Sequence, residues 1–134
     1  MAGQYGGDAQ MLAAAVTLVT TAETNILSTG FVTIPYETGK FYISGMLYIT
    51  TGTGVTGVQV RCRRNVNAEN VVLGVAAQTI VAGASTTLVV PFDFTDPIPD
   101  NRPCQYTVTV QQVGATGNGS VLANSTISST LFSG

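Results

Sequence analysis

The chain is 134 residues long, the length of one domain, with 5 basic and 7 acidic residues, no His and a net charge of −2. Without His there is no Ser-His or Cys-His dyad and no His metal ligand. A weakly acidic chain also lacks the Lys and Arg surplus that neutralises nucleic-acid phosphates.

Charged residues make up only 9% of the chain and hydrophobic residues 45%. An average globular protein carries roughly 25% charge. The composition argues against disorder, because disordered chains are polar and highly charged. The abundant Thr and Val are β-branched and suit a pleated sheet. So little charge on so apolar a chain predicts that other subunits cover much of the surface.

Residues 1–10, MAGQYGGDAQ, hold three Gly and little apolar material. They read as a flexible arm that includes Tyr5 and can order against a neighbour. Residues 11–134 read as a single β-sandwich domain. Met11 to Leu18 is the one stretch with helical character, from Ala13-Ala14-Ala15. The β-branched Val16 to Thr20 favours a strand, which is the reading adopted. Met11 to Val19 is also the only candidate core of a signal peptide. No Lys or Arg precedes Lys40, so the chain is expected to be made without a secretory signal. No run reaches the ~18 apolar residues of a membrane span.

Asn25 to Leu27 and Phe31 to Ile34 read as short strands ending at Pro35. Lys40 to Thr50, KFYISGMLYIT, is the clearest strand. Phe41, Ile43, Leu47 and Ile49 share one face, with Gly45 at its centre marking a bulge or a close backbone approach. Tyr42, Ser44, Met46, Tyr48 and Thr50 share the other. Alternation leaves open whether that second face is a core wall or an exposed interaction patch.

Val55 to Arg64 alternates again, placing Val58, Val60 and Cys62 inward and Gln59, Arg61 and Arg63 outward. Arg64 falls on the opposite face or in the turn. Arg61, Arg63 and Arg64 are the only charge cluster, read either as a contact for an anionic partner or as a solvated strand. Val71 to Ile80 and Thr86 to Phe94 are strands. Thr95 to Pro103, with three of the five prolines, is a rigid connection. Cys104 to Val113 alternates, Gly114 to Gly119 reads as a hairpin loop, and Ser120 to Phe132 as the last strand. The sum is an all-β, antiparallel, jelly-roll-like sandwich of about eight strands. An immunoglobulin-like sandwich is the alternative, and the missing Trp counts against it.

Asp93, Asp96 and Asp100 are near one another in sequence but lack the ordered pattern of a Ca²⁺ loop, and Asp96-Pro97 and Asp100 read as turn chemistry. No cofactor and no metal is expected. Cys62 and Cys104 form no CxxC and read either as two buried thiols or as one disulfide. An oxidised pair would favour a secreted adhesion module. No nucleophile and base can be paired, so the expectation is a non-enzyme.

The segments TGKFYISGMLYIT, GVQVRCRRN and QYTVTVQQVGATGNGSVLANSTISSTLFSG resemble, in strand order and aromatic placement, the trimeric jelly rolls of the C1q and tumour necrosis factor type. In composition, and in the phrase Gln111 to Gly119, the chain resembles capsid decoration (cement) and fibre-head proteins of tailed bacteriophages. The resemblance is one of style over residues 15–134, without a diagnostic motif. It implies a virion-surface homotrimer, made in the host cytoplasm, that contacts the major capsid protein and stabilises the shell, with no nucleic-acid or membrane partner. A fibre-tip domain that binds a receptor or glycan is the alternative. The candidate interface residues are Tyr5, Tyr42, Met46, Tyr48, Arg61, Arg63 and Arg64. The arginine cluster is the part the resemblance leaves unexplained.

Overall fold

The computed structural model describes residues 7–32, 39–66, 69–79, 87–96 and 103–133, and every regular element among them is a β-strand. In chain order these are β1 (Gly7–Met11), β2 (Val16–Leu18), β3 (Thr24–Ser28), β4 (Gly39–Thr50), β5 (Gly57–Val66), β6 (Glu69–Thr79), β7 (Thr87–Asp96), β8 (Gln105–Val113), β9 (Gly119–Val121) and β10 (Thr126–Ser133).

They form two antiparallel sheets. In the first sheet, β4 pairs with β7 on one flank. On the other flank it pairs with β10, which leads to β1, and with β9, which leads to β2. The second sheet runs β3-β8-β5-β6. The expected antiparallel sandwich is therefore present. Ten strands replace the expected eight or so: Gly7–Met11 adds a strand, and the last run divides, with β9 and β10 separated by a turn at Leu122 to Ser125. Asn124 adopts φ 74° there, a left-handed conformation that Asn tolerates. The Ser125 hydroxyl fixes the turn by accepting the Tyr48 N–H at 3.0 Å and donating to the Leu122 carbonyl at 2.9 Å.

Three other expectations change. Of the predicted strand at Phe31 to Ile34, Val32 makes an isolated bridge to Cys104, and residues 33–38 lie outside the described residues. Of residues 1–10, expected as a flexible arm, Gly7 to Gln10 pair with Ile127 to Thr130 as a strand, and residues 1–6 lie outside the described residues. Gly114 to Gly119 is not a hairpin loop, because it joins β8 of the second sheet to β9 of the first.

The core lies between the sheets. Phe41, Ile43, Leu47 and Ile49 of β4 face Val58, Val60 and Cys62 of β5 and Tyr106, Val108 and Val110 of β8, all of them buried. This is the period-2 alternation read from the sequence. Gly45 marks a close approach: a Cβ there would meet the Thr126 carbonyl and the Phe92 ring, the latter at 2.6 Å. Phe92 fills the space that a side chain would take.

Cys62 and Cys104 are both buried thiols, not joined by a disulfide. Cys62 stands opposite Val108, four residues along β8 from Cys104, which is about 13 Å at strand rise. A disulfide needs Cα atoms within about 7 Å, so the pair cannot bridge within the chain. Burial, with Asp96 nearby, pushes the Cys62 thiol up to about 12.

At one side of the sandwich the outermost strands are β7 and β6. A Cβ on Gly74 of β6 would lie 2.9 Å from the Phe94 ring of β7. Gly74 thus leaves room for Phe94 to close that side between the sheets. β3 and β1 meet at the opposite side.

Candidate functional site

The functional candidates sit on the two outer sheet faces. Burial of Phe41 to Ile49 on one side of β4 turns Tyr42, Ser44, Met46 and Tyr48 to the outside. That resolves the ambiguity of this strand in favour of an exposed face. Met46 stands opposite Pro91 of β7 and Thr126 of β10, and Thr126 stands opposite Met11 of β1. A row of Met11, Thr126, Met46 and Pro91 therefore crosses four strands, and Val89 lies beside it opposite Tyr48. Met11 is 62% exposed and Val89 51%.

The polar neighbours on this face are mainly hydroxyls: Ser44 and Ser128, whose oxygens are 3.4 Å apart, and Thr130. Its charged residues are Asp93 and, at the start of β4, Lys40. The Tyr42 hydroxyl donates to Asp93 at 2.8 Å, and that carboxylate raises the phenol above its ordinary range. Two shallow depressions open here, one lined by Tyr42, Pro91, Phe92 and Asp93, the other by Tyr48, Thr87, Leu122, Ala123 and Asn124.

The outer face of the second sheet holds Arg61 and Arg63, together as the alternation predicts. Arg63 grips Glu23 with two hydrogen bonds of 2.8 Å and donates to Asn70 at 3.2 Å. Arg61 donates to Gln111 and Gln59, both at 2.7 Å, and lies 3.9 Å from Glu23. Glu23 also accepts the Thr109 hydroxyl at 2.6 Å. The Arg63 hydrogen bonds foremost, opposed by partial burial, hold its carboxyl at about 2. This cluster of two guanidinium groups and one carboxylate carries one positive charge in excess. Val72 and Val75 of β6 stand opposite Arg63 and Arg61 and are 41% and 51% exposed.

Arg64 does not belong to this cluster. One residue further along β5, it turns inward and donates to Asp96 at 2.6 Å. Asp96 is 1% exposed and also accepts the Tyr106 hydroxyl at 2.8 Å. Burial first, then Asp96, raises the Tyr106 phenol. Since Asp96 is on the first sheet and Arg64 and Tyr106 are on the second, the trio ties the sheets together. The same parity separates the aspartates: Asp93 faces out and Asp96 in, so they share no site. Asp100 and Tyr5 lie outside the described residues. Among those described, no group of three or more His, Cys, Asp and Glu is placed to hold a metal, and no helix is long and apolar enough to cross a membrane.

Two residues that sequence reasoning missed hold the loops in place. Gln112 is buried; its amide donates to the Thr20 carbonyl at 2.8 Å, and its oxygen accepts the Gly52 N–H at 2.7 Å. Its inward parity on β8 was a usable signal. Glu23 had none, being a lone acid in a turn 40 residues from Arg63 and 86 from Thr109.

No protein-family model matches the sequence, and no curated relative does either. Solved structures do share the fold. The infectious bursal disease virus VP2 subviral particle matches with TM-score 0.54 and 14% identity, over 92% of this chain and 32% of that one. Infectious bursal virus derived T=1 particles match with TM-score 0.56 and 13% identity, over 92% and 31%. Eiger TNF from S. frugiperda matches with TM-score 0.52 and 12% identity, over 96% and 94%. This chain thus spans about a third of the viral proteins and nearly all of the TNF protein. At such identities the likeness is one of fold, a jelly-roll-like sandwich.

Proposed function

We propose that this chain is a structural component of a virion, built for contact with other subunits and not for catalysis. The more specific reading is a bacteriophage capsid decoration protein that forms a homotrimer and binds the major capsid protein. The observation that carries it is the outer face of the first sheet: Met11, Met46, Val89 and Pro91 lie exposed on a broad sheet surface. Patches of this kind mark interfaces. Burying such a face contributes ~25 cal/mol per Å² before ordering costs, and symmetric repetition multiplies a modest contact. Two of the fold's neighbours are solved as viral particles, which supports a virion setting. In this reading Arg61 and Arg63 belong to a second contact surface, the segment around Tyr5 reaches the capsid, and the protein is made in the host cytoplasm.

The test is stoichiometry. Mass spectrometry of particles purified from the source of the gene should find this chain in a fixed ratio to the major capsid protein. Its absence from washed particles would overturn the reading. Deleting residues 2–6 should weaken attachment and leave thermal unfolding unchanged, because β1 begins at Gly7; full occupancy by the truncated protein would remove the arm from the mechanism.

A second reading is glycan binding, as in a fibre-tip domain. It is favoured by the depression that sets the Tyr48 ring beside Thr87 and the Asn124 turn. Sugars soaked into crystals and found stacked on Tyr48 would establish it, and an empty depression at high sugar concentration would remove it.

A further inference from the structure

The side of the sandwich formed by β6 and β7 carries exposed apolar residues on both of its outer faces. On the first sheet these are Val89 and Pro91 of β7; on the second, Val72 and Val75 of β6. Each patch has charge of one sign beside it. Asp93 follows Pro91 on the outer face of β7, two residues along. Arg61 and Arg63, with one positive charge left after Glu23, stand opposite Val75 and Val72. Pairing either patch with its own copy brings no opposite charges together, since Asp93 is the charge beside the first and the net charge beside the second is positive. A patch of each kind does match: apolar on apolar, negative beside positive. Like charges brought together at a contact are costly, and opposite ones select orientation.

We infer that the outer face of the first sheet, at Val89 and Pro91, binds the outer face of the second sheet, at Val72 and Val75, of another copy of this chain. The contact is head-to-tail, with two different surfaces meeting. The inference rests on reading the first sheet's outer face as a contact surface, and it names the partner of that surface.

The experiment uses two single variants of the full chain, Val89→Lys and Val75→Asp. Both positions are half exposed, so neither substitution threatens the core; circular dichroism melting checks this. Val89→Lys sets a cation against Arg61 and Arg63, and Val75→Asp sets an anion against Asp93. Analytical ultracentrifugation, without any capsid present, should show a self-associating wild type and two monomeric variants. The mixture of the two variants should run as a 1:1 dimer, because each retains the wild-type surface that the other has lost. A monomeric wild type, a variant that associates as the wild type does, or a mixture that stays monomeric would overturn the inference. Particle stoichiometry is measured separately, so a failure here is distinct from failure of the virion reading.

Discussion

Two ion pairs one residue apart on β5 have opposite surroundings. Arg63 and Glu23 lie on the outer face with 25% and 26% of their side chains exposed, whereas Arg64 and Asp96 have 19% and 1%. Both pairs join a guanidinium to a carboxylate, and strand alternation decides which arginine meets an exposed carboxylate and which a buried one. The outer pair works in a screened medium, where its geometry costs side-chain entropy and returns little. The inner pair removes a carboxylate from water almost completely, so what matters there is the cost of leaving one partner alone. Proximity in sequence is thus a poor guide to shared function: a cluster of three arginines divides into a surface pair and a cross-sheet tie.

The sharpest way to break this comparison is Arg64→Ala. It leaves Asp96 buried with the Tyr106 hydroxyl as its remaining described partner, and should cost about 3–5 kcal/mol. Urea unfolding followed by tyrosine fluorescence measures it, and a loss below about 1 kcal/mol would show that water reaches Asp96.

Acid probes the outer pair. The folded-state carboxyl of Glu23 is held at about 2, below its ordinary value of 4.5. Its contribution is therefore fully present above pH 4.5 and is lost as pH falls toward 2. Stability should decline across that window, and Glu23→Gln should flatten part of the decline. Identical acid profiles for the two proteins would mean that Glu23 is equally ionised in the unfolded chain.

The smallest effect is expected from Arg63→Ala, about 0.2–1 kcal/mol and reduced by salt. If the loss equals that of Arg64→Ala, the two environments are not as different as their exposures indicate. A combined Arg63→Ala and Arg64→Ala chain should lose close to the sum if the pairs act independently.

The sequence exposes what a period of two can carry. The inner faces of β4, β5 and β8 follow from alternation, as do the company of Arg61 with Arg63 and the inward parity of Gln112. Gly45 shows a close approach, though not that Phe92 is the group that fills it. Contacts between distant segments leave no local trace. Nothing near Glu23 points to Arg63, and nothing in the aspartate-rich stretch marks Asp96 as the one turned inward beneath Arg64. The division of the last strand is hidden for another reason: Ser120 to Phe132 stays compatible with a continuous strand, and only the left-handed Asn124 breaks it. Of the outer face of the first sheet, Tyr42, Met46 and Tyr48 are legible as one face of a strand, whereas Met11, Val89 and Pro91 join them only through pairing between strands.

The spacing of the thiols has a consequence for the life of the protein. Cys62 and Cys104 are set apart along one strand direction inside a packed core, with no sulfur in reach to exchange with. The folded chain therefore holds no disulfide between them to be formed or reduced. Among the described residues, its accessible sulfur chemistry lies instead at Met11 and Met46 on the outer face of the first sheet, where oxidation to the sulfoxide would turn an apolar surface polar.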